Sequence, residues 1–257
     1  MNIDFYKYHG TGNDFIIFDN RKMLFPKKNK ILISKLCHRN LGIGADGLIL
    51  LENDAKTDFK MVYFNGDGSE GMLCGNGGRS IVAFAKKLAI FNTKTTFTAV
   101  DGLHFASIKN GIISLQLANV SEIEVGENHV FTNTGSPHHI KLVENLDNYL
   151  VVAAGKKLRD SYGKEGCNIN FVEQINTKTF AVRTYERGVE NETLSCGTGV
   201  TAVAIAMHKT KKTTQKSIKL LTKGGELTVS FTEENNIYKN IFLTGKATFV
   251  FKGSIDI

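Results

Sequence analysis

Cys74-Gly75-Asn76-Gly77-Gly78-Arg79-Ser80-Ile81-Val82-Ala83-Phe84-Ala85 and Cys196-Gly197-Thr198-Gly199-Val200-Thr201-Ala202-Val203-Ala204-Ile205-Ala206-Met207 are two versions of one pattern, offset by 122 residues. In each, a cysteine meets a glycine-rich turn, and the small and apolar run that follows suits a helix buried on most sides. The same shift, without a gap, pairs Tyr63 with Tyr185, Gly66 with Gly188 and Glu70 with Glu192. It is close to half of the 257 residues. Two copies indicate a duplicated domain, because a solenoid needs more units to bury its faces. Each half therefore reads strand, loop, Cys-Gly-x-Gly, buried helix.

Working outward, apolar Phe5 to Tyr8 and Phe15 to Phe18 flank the turn formers His9-Gly10-Thr11-Gly12-Asn13-Asp14 and read as a hairpin. Ile31 to His38 has a short helical pattern, followed by a glycine-rich loop from Gly42 to Gly47 and a strand at Leu48 to Leu51. Strands are expected at Phe59 to Phe64 and Thr95 to Val100, and at Phe105 to Leu117 folded back on Asn110-Gly111. The second half continues in this style. It has strands near Val130 and Ile140, a helix around Leu146 to Leu158, and strands at Asn168 to Val172 and Phe180 to Tyr185. Ser217 to Leu221 and Leu227 to Phe231 flank a Lys223-Gly224-Gly225 turn, and short apolar stretches from Ile241 to Phe251 end the fold.

Composition narrows the partners. A chain that is 42% hydrophobic and 22% charged is an ordinary globular one, and no apolar run reaches the ~18 residues of a membrane span. The opening Met1-Asn2-Ile3-Asp4-Phe5 lacks the pattern of a secretory signal, so a cytoplasmic protein is expected. The charge of +7 comes from scattered lysines, such as Lys27-Lys28-Asn29-Lys30, without interleaved aromatics, so no nucleic-acid partner is expected. That field instead favours the arrival of an anionic small molecule. The four cysteines, at 37, 74, 167 and 196, lack the close pairing of a zinc or redox motif. Cys37 and Cys167 have no counterpart in the repeat and are assigned to the core.

A cysteine where a glycine-rich loop opens a helix lies beside unpaired backbone N–H groups and the positive end of the helix dipole, which favours thiolate. The same N–H groups form an anion site suited to a carboxylate. Two such units give a two-thiol device. One cysteine removes an α-proton, the other returns a proton to the opposite face, and the roles swap for the reverse reaction. The helix starts stabilise charge developing on the carboxylate, so neither metal nor pyridoxal is required. A single cysteine before a helix is ordinarily a small hydrophobe; the duplicate placement is what favours chemistry.

Gly10-Thr11-Gly12-Asn13-Asp14-Phe15, Phe64-Asn65-Gly66-Asp67-Gly68-Ser69-Glu70, Cys74-Gly75-Asn76-Gly77-Gly78-Arg79, Gly135-Ser136-Pro137-His138, Tyr185-Glu186-Arg187-Gly188 and Cys196-Gly197-Thr198-Gly199, in this order, resemble the diaminopimelate epimerase family. The resemblance runs from one end of the chain to the other. It implies an α/β fold of two pseudo-symmetric domains, each a curved, mainly antiparallel sheet wrapped around a central helix. One comprises residues 1–117 with 246–257 and carries Cys74; the other comprises 118–245 and carries Cys196. It implies cofactor-independent interconversion of LL- and meso-2,6-diaminopimelate, in lysine and peptidoglycan precursor biosynthesis, by a cytoplasmic homodimer. Cys74 and Cys196 match the catalytic cysteines of the family. Asn13, Asn65, Gly75, Asn76, Asn168, Glu186, Arg187, Gly197 and Thr198 match substrate-holding positions, and His138 matches a group near the reacting centre.

The chemistry fits those matches. A substrate with two amino-acid ends must be gripped at its distant end; Arg187 suits the second carboxylate, and Glu186 or asparagine oxygens suit an ammonium. Two departures stand out: some family members have glutamine in place of Gly47 and asparagine in place of Ser136. The rival readings are a racemase of another amino acid, such as histidine or hydroxyproline, and a non-catalytic anion-binding protein. Asn76, Glu186 and Arg187 weigh against the first, and the paired cysteines against the second.

Overall fold

The apolar runs of the first half bury both faces of their strands, and helices cover each face. The computed structural model describes Met1–Ile257, and its β1 (Asn2–Gly10) and β2 (Asn13–Asp19) pair antiparallel across Thr11-Gly12. Both turn residues have positive φ, 49° and 86°, the two-residue turn that matches strand twist. α1 (Lys30–Cys37) begins at Asn29, whose side chain accepts from the Leu32 N–H as an N-cap. β3 (Gly47–Glu52) is buried along its whole length, as a strand covered on both sides must be. β4 (Phe59–Asn65), α2 (Gly75–Lys87), β5 (Lys94–Ala99), β6 (Gly102–Lys109) and β7 (Ile112–Leu117) follow. Ile33 and Leu36 of α1 pack with Ile16, Phe18, Leu48, Leu50, Val62 and Phe64. Residues of the opposite parity, Phe15, Ile49 and Met61, meet Gly77 of α2.

The second half uses the same parts. β8 (Ile123–Val125), β9 (Val130–Asn133) and β10 (Pro137–Leu142) lead to α3 (Val151–Ser161), β11 (Asn168–Asn176), β12 (Thr179–Glu186) and β13 (Asn191–Thr193). α4 (Gly197–Lys209), β14 (Ser217–Thr222), β15 (Gly225–Glu234), β16 (Ile237–Lys246) and β17 (Thr248–Asp256) complete the chain. Val200, Val203, Ile205 and Met207 of α4 sit in a core with Ile140, Val172, Phe180, Val182, Leu220 and Leu243.

The chain divides into two compact units, Met1–Leu115 with Gly245–Ile257, and Gln116–Thr244. Their pairings run in the same order. Along β17-β1-β2-β3-β4-β5-β6-β7 the steps are antiparallel, antiparallel, parallel, antiparallel, parallel, antiparallel, antiparallel. Along β8-β9-β10-β11-β12-β14-β15-β16 they are identical. α2 and α4 occupy equivalent places, each with ten of its thirteen residues buried. The expected mixed α/β, mainly antiparallel architecture is borne out. No helix is long and apolar enough to cross a membrane.

The helix expected around Leu146 to Leu158 starts later, at Val151, after a 3₁₀ turn at Leu146–Asn148. Its first turn is taken by other partners. Glu173 Oε2 accepts the Leu146 N–H, and Arg183 Nη1 donates to the carbonyls of Leu146, Asp147 and Tyr149. Carbonyls bound to a guanidinium are not free to extend a helix.

Gly68, in the turn after β4, has φ of 85°, and a Cβ there would lie 2.3 Å from the Lys30 carbonyl at the start of α1. Gly68→Ala is expected to lower unfolding stability by about 1–3 kcal/mol through backbone strain and that clash. Denaturant midpoints measure it, and an unchanged midpoint would contradict the close approach.

Candidate active site

Each helix of the repeat begins at its cysteine. Cys74 and Cys196 are the N-cap residues of α2 and α4, in extended backbone conformation (φ −92° and −112°), and neither side chain caps its own helix. The thiols therefore leave the first-turn N–H groups to something else. Both are half-buried, whereas Cys37 and Cys167 are in the core, where burial pushes their thiols up to about 12 and about 11. A thiol so raised is unreactive near neutral pH. Nowhere in the chain do three or more His, Cys, Asp or Glu side chains gather in a metal-binding cluster.

In the first unit, Asn13 joins the cysteine. Cys74 Sγ donates to Asn13 Oδ1 (3.4 Å), and Asn76 Nδ2 donates to the same oxygen (3.3 Å). The Asn13 amide is turned that way because its Nδ2 donates to Asp46 Oδ2 (2.6 Å). Asp46 and Asp14 share Arg39, at 2.7 and 2.8 Å, and Lys7 Nζ pairs with Asp14 Oδ2 at 2.7 Å. Burial opposes ionisation of Asp14, but the hydrogen bonds and charges of Arg39 and Lys7 outweigh it and hold the carboxyl at about 2. Asn76 is itself oriented. Its Oδ1 accepts from Arg79 Nη2 (2.7 Å) and Thr11 Oγ1 (3.3 Å), and Arg79 Nη1 donates to the Gly75 carbonyl (3.1 Å). Asn65, at the exposed end of β4 and opposite Gly47 in the strand register, donates through Nδ2 to Ser69 Oγ (3.1 Å).

In the second unit a histidine stands behind the cysteine. Thr198 Oγ1 lies 3.4 Å from Cys196 Sγ, 2.9 Å from His138 Nε2 and 3.1 Å from Ser136 Oγ. Asn170 Nδ2 donates to His138 Nδ1 (3.1 Å) and to the His139 carbonyl (3.2 Å), while its Oδ1 accepts from Thr184 Oγ1 (3.0 Å). With Nδ1 an acceptor, the neutral imidazole carries its proton on Nε2 and donates it toward Thr198 and Ser136. Gly199 is required here, because a Cβ would sit 2.5 Å from Asn170 Oδ1 and 3.2 Å from the Cys196 Cβ. Asn168 Nδ2 donates to Ser136 Oγ (3.1 Å), and its Oδ1 accepts the Arg187 N–H (3.0 Å). The exposed Arg187 guanidinium donates to the Glu165 carbonyl (3.0 Å) and forms no ion pair. Glu186 Oε1 accepts from Thr193 Oγ1 (2.7 Å). Gly75 and Gly197 are the buried first residues of their helices.

Each unit by itself thus holds a cysteine at a helix start among the motifs named above. Residues 5–111 and 130–250 match the family model of diaminopimelate epimerase. The chain belongs to the diaminopimelate epimerase family. A diaminopimelate epimerase of Flavobacterium psychrophilum is 60% identical to it over 253 residues, covering 97% of this chain and 99% of that one. Among solved structures, a phenazine biosynthesis protein of the PhzF family from Bacillus anthracis superposes with a TM-score of 0.79 at 15% identity, over all of both chains. A hydroxyproline epimerase from Agrobacterium vitis does so with a TM-score of 0.72 at 13% identity, covering 99% of this chain and 92% of that one. At such identities the likeness is one of fold, shared by the diaminopimelate epimerase family with these proteins.

The two departures from the diaminopimelate epimerase pattern have local causes. A side chain at Gly47 would meet the Tyr63 ring at 2.5 Å and the Phe64 carbonyl at 2.7 Å, so Tyr63 fills that space. Ser136 bonds His138, Thr198 and Asn168 at 3.0–3.1 Å and so links the polar groups behind Cys196. Sequence reasoning missed Asp46, Arg39 and Asn170 as supports. Asn170 had one signal, a second asparagine two residues beyond Asn168 on the same face of an otherwise apolar strand.

His138 is fully buried, and burial, with the Arg187 charge adding, pulls its imidazole down to about 3 from 6.5. Between those values the unfolded chain binds the extra proton and the folded one does not, so stability falls as pH drops through that window. Urea midpoints at pH 7 and pH 4 are expected to show a smaller acid loss in His138→Gln than in the unsubstituted protein. Equal losses would mean that His138 titrates alike in both states.

Proposed function

We propose that this protein epimerises LL-2,6-diaminopimelate to meso-2,6-diaminopimelate, with Cys74 and Cys196 as the proton-transfer pair and no cofactor. The observation that carries the reading is the repeated helix start: two half-buried cysteines, each at the N-cap of a buried helix and neither capping it. Membership of the diaminopimelate epimerase family and the 60% identical relative support the substrate. The product's place in lysine and peptidoglycan precursor synthesis belongs to the same reading.

The α-hydrogen is weakly acidic, so its removal needs a base close by and a place for the charge that develops on the carboxylate. First-turn N–H groups of α2 and α4, at the positive ends of their helices, suit that carboxylate. Inversion requires one cysteine on each face of the carbon: a thiolate takes the proton, and the opposing thiol gives one up. The stereoisomer formed is then the substrate of the reverse reaction with the roles exchanged. His138, neutral and buried, acts as a support for Thr198 rather than as a base. The exposed, unpaired Arg187 guanidinium suits the distal carboxylate, Glu186 suits the distal ammonium, and the asparagines at 13, 65, 76 and 168 supply amide contacts to the rest. The two compact units are taken as the two epimerase domains. A cytoplasmic homodimer is proposed with them, on the family resemblance.

In D2O the purified protein is expected to exchange the α-hydrogen of diaminopimelate without added cofactor. Cys74→Ala and Cys196→Ala are each expected to lower kcat by about 10²–10⁴-fold; full turnover in either variant would end the two-thiol reading. Arg187→Ala is expected to raise KM for diaminopimelate by about 10–100-fold, the loss of a charged hydrogen bond. An unchanged KM would remove Arg187 from the distal grip.

A further inference from the structure

A hydroxyl proton rotates to suit its neighbours, and where all of them but one are donors it has one place to go. Such a count can be made behind Cys196. Asn170 comes first: its Nδ2 donates to the His139 carbonyl at 3.2 Å and to His138 Nδ1 at 3.1 Å. A carbonyl can only accept, so the amide is turned nitrogen-first toward the ring, and the neutral His138 carries its one proton on Nε2. That nitrogen lies 3.0 Å from Ser136 Oγ and 2.9 Å from Thr198 Oγ1 and shares its proton between them. The Asn168 amide is fixed in the same way. Its Oδ1 accepts the Arg187 N–H at 3.0 Å, so its Nδ2 is the donor to Ser136 Oγ at 3.1 Å.

Ser136 therefore receives from Asn168 and His138, and its own proton goes to its remaining neighbour, Thr198 Oγ1 at 3.1 Å. Thr198 in turn receives from Ser136 and His138, which fills its two lone pairs. Its own proton is left with Cys196 Sγ, 3.4 Å away. The neighbours of Thr198 set this direction, and a sulfur takes more than one hydrogen bond, so it holds whatever else Cys196 meets. The backbone is tied down too, because the Thr198 carbonyl accepts from Thr134 Oγ1 at 2.9 Å. In the first unit the contact has the opposite polarity. The shift of 122 residues puts Asn76 where Thr198 stands, and both Cys74 Sγ and Asn76 Nδ2 donate to Asn13 Oδ1, an oxygen that only accepts.

We propose that the Thr198 hydroxyl is a hydrogen-bond donor to the Cys196 thiolate, with Ser136 and His138 as positioning residues that hold its proton toward the sulfur. A hydrogen bond made to the charged form favours that form. A hydroxyl whose lone pairs are both receiving is also a stronger donor, since successive bonds polarise one another. Ser136, whose hydroxyl both receives and passes on, suits its place in the chain. The groups packed around it leave the direction undisturbed. Thr134 from β9 and Asn168 and Asn170 from β11 are neutral, His138 from β10 is kept neutral by burial, and the first turn of α4 has no charged side chain. The charged groups stand at the end of β12: Arg187, whose charge is felt at His138, and Glu186, whose Oε1 accepts from Thr193 Oγ1.

This inference deepens the epimerase reading and rests on it, but its test needs no turnover. Iodoacetamide alkylation of the intact protein across pH 5–10, with each cysteine followed by peptide mass spectrometry, gives a midpoint for Cys196 and another for Cys74. The Cys196 midpoint is expected below the value of about 8.5 of a free thiol. Thr198→Val, which keeps the shape and removes the donor, is expected to raise it by about one unit, leaving about tenfold less thiolate at a pH below it, with a smaller change at Cys74. Thr198→Ser, which keeps the hydroxyl, is expected to restore most of the shift. Ser136→Ala leaves His138 to hold Thr198 and is expected to move the midpoint less than Thr198→Val does. A Cys196 midpoint at or above that of a free thiol in the intact protein overturns the proposal even if the variants fail to fold. Equal midpoints in folded Thr198→Val and Thr198→Ser overturn it too, as does a larger shift in Ser136→Ala than in Thr198→Val. Normal diaminopimelate turnover with an unmoved midpoint in Thr198→Val sinks this inference alone, and the expected shift in a protein without turnover sinks the epimerase reading alone.

Discussion

The whole arrangement depends on a helix start being pressed so closely against the surrounding strands that certain positions of its first turn leave little or no room for a side chain. Gly77 faces Phe15, Ile49 and Met61, and Gly199 faces Asn170 Oδ1, at distances where an added Cβ would be at or inside the limit of contact. Gly10, at the end of β1, is equally close to the backbone of Asn76. Packing of this kind fixes the axis of the helix and the direction of its first N–H groups, so the cysteine at the N-cap has little freedom. An anion site made of backbone is only as good as the rigidity of that backbone. Here rigidity comes from sheet strands covered on both faces, with β2 and β3 among the most deeply buried segments of the chain.

From that constraint the polar supports follow. An amide has two possible orientations, and at Asn13 only one presents its oxygen to a thiol. In the first unit the choice is made for Asn13 by Asp46, and Asp46 is held in turn by Arg39. In the second unit it is made for Asn170 by the His139 carbonyl, which accepts from Nδ2 and so turns the same nitrogen toward His138. The result is a defined imidazole tautomer and a defined donor to Thr198. Ser136 belongs to this set because its hydroxyl meets three partners at once.

Much of this was legible in the sequence because the duplication displayed it twice. A cysteine followed by Gly-x-Gly and then a small apolar run announced the helix and its burial, and the turn at Thr11-Gly12 was readable from its residue types. The supports were not. Asp46 lies 33 residues from Asn13, and nothing local marks a carboxylate that acts by orienting a distant amide. The late start of α3 was hidden for the same reason: Glu173 and Arg183, from two later strands, take the backbone groups that a longer helix would need. The short strands at Ile123–Val125 and Asn191–Thr193 carry too few residues to show a period.

The duplication also bears on why two halves with one topology differ at one point. Identical pairing orders show that the same scaffold was kept in both units, down to a side-chain donor on the carbonyl of the first helical residue. They part at the donor itself, which is the guanidinium of Arg79 in one unit and the hydroxyl of Thr201 in the other, so one first turn carries a buried charge that the other replaces with a neutral group.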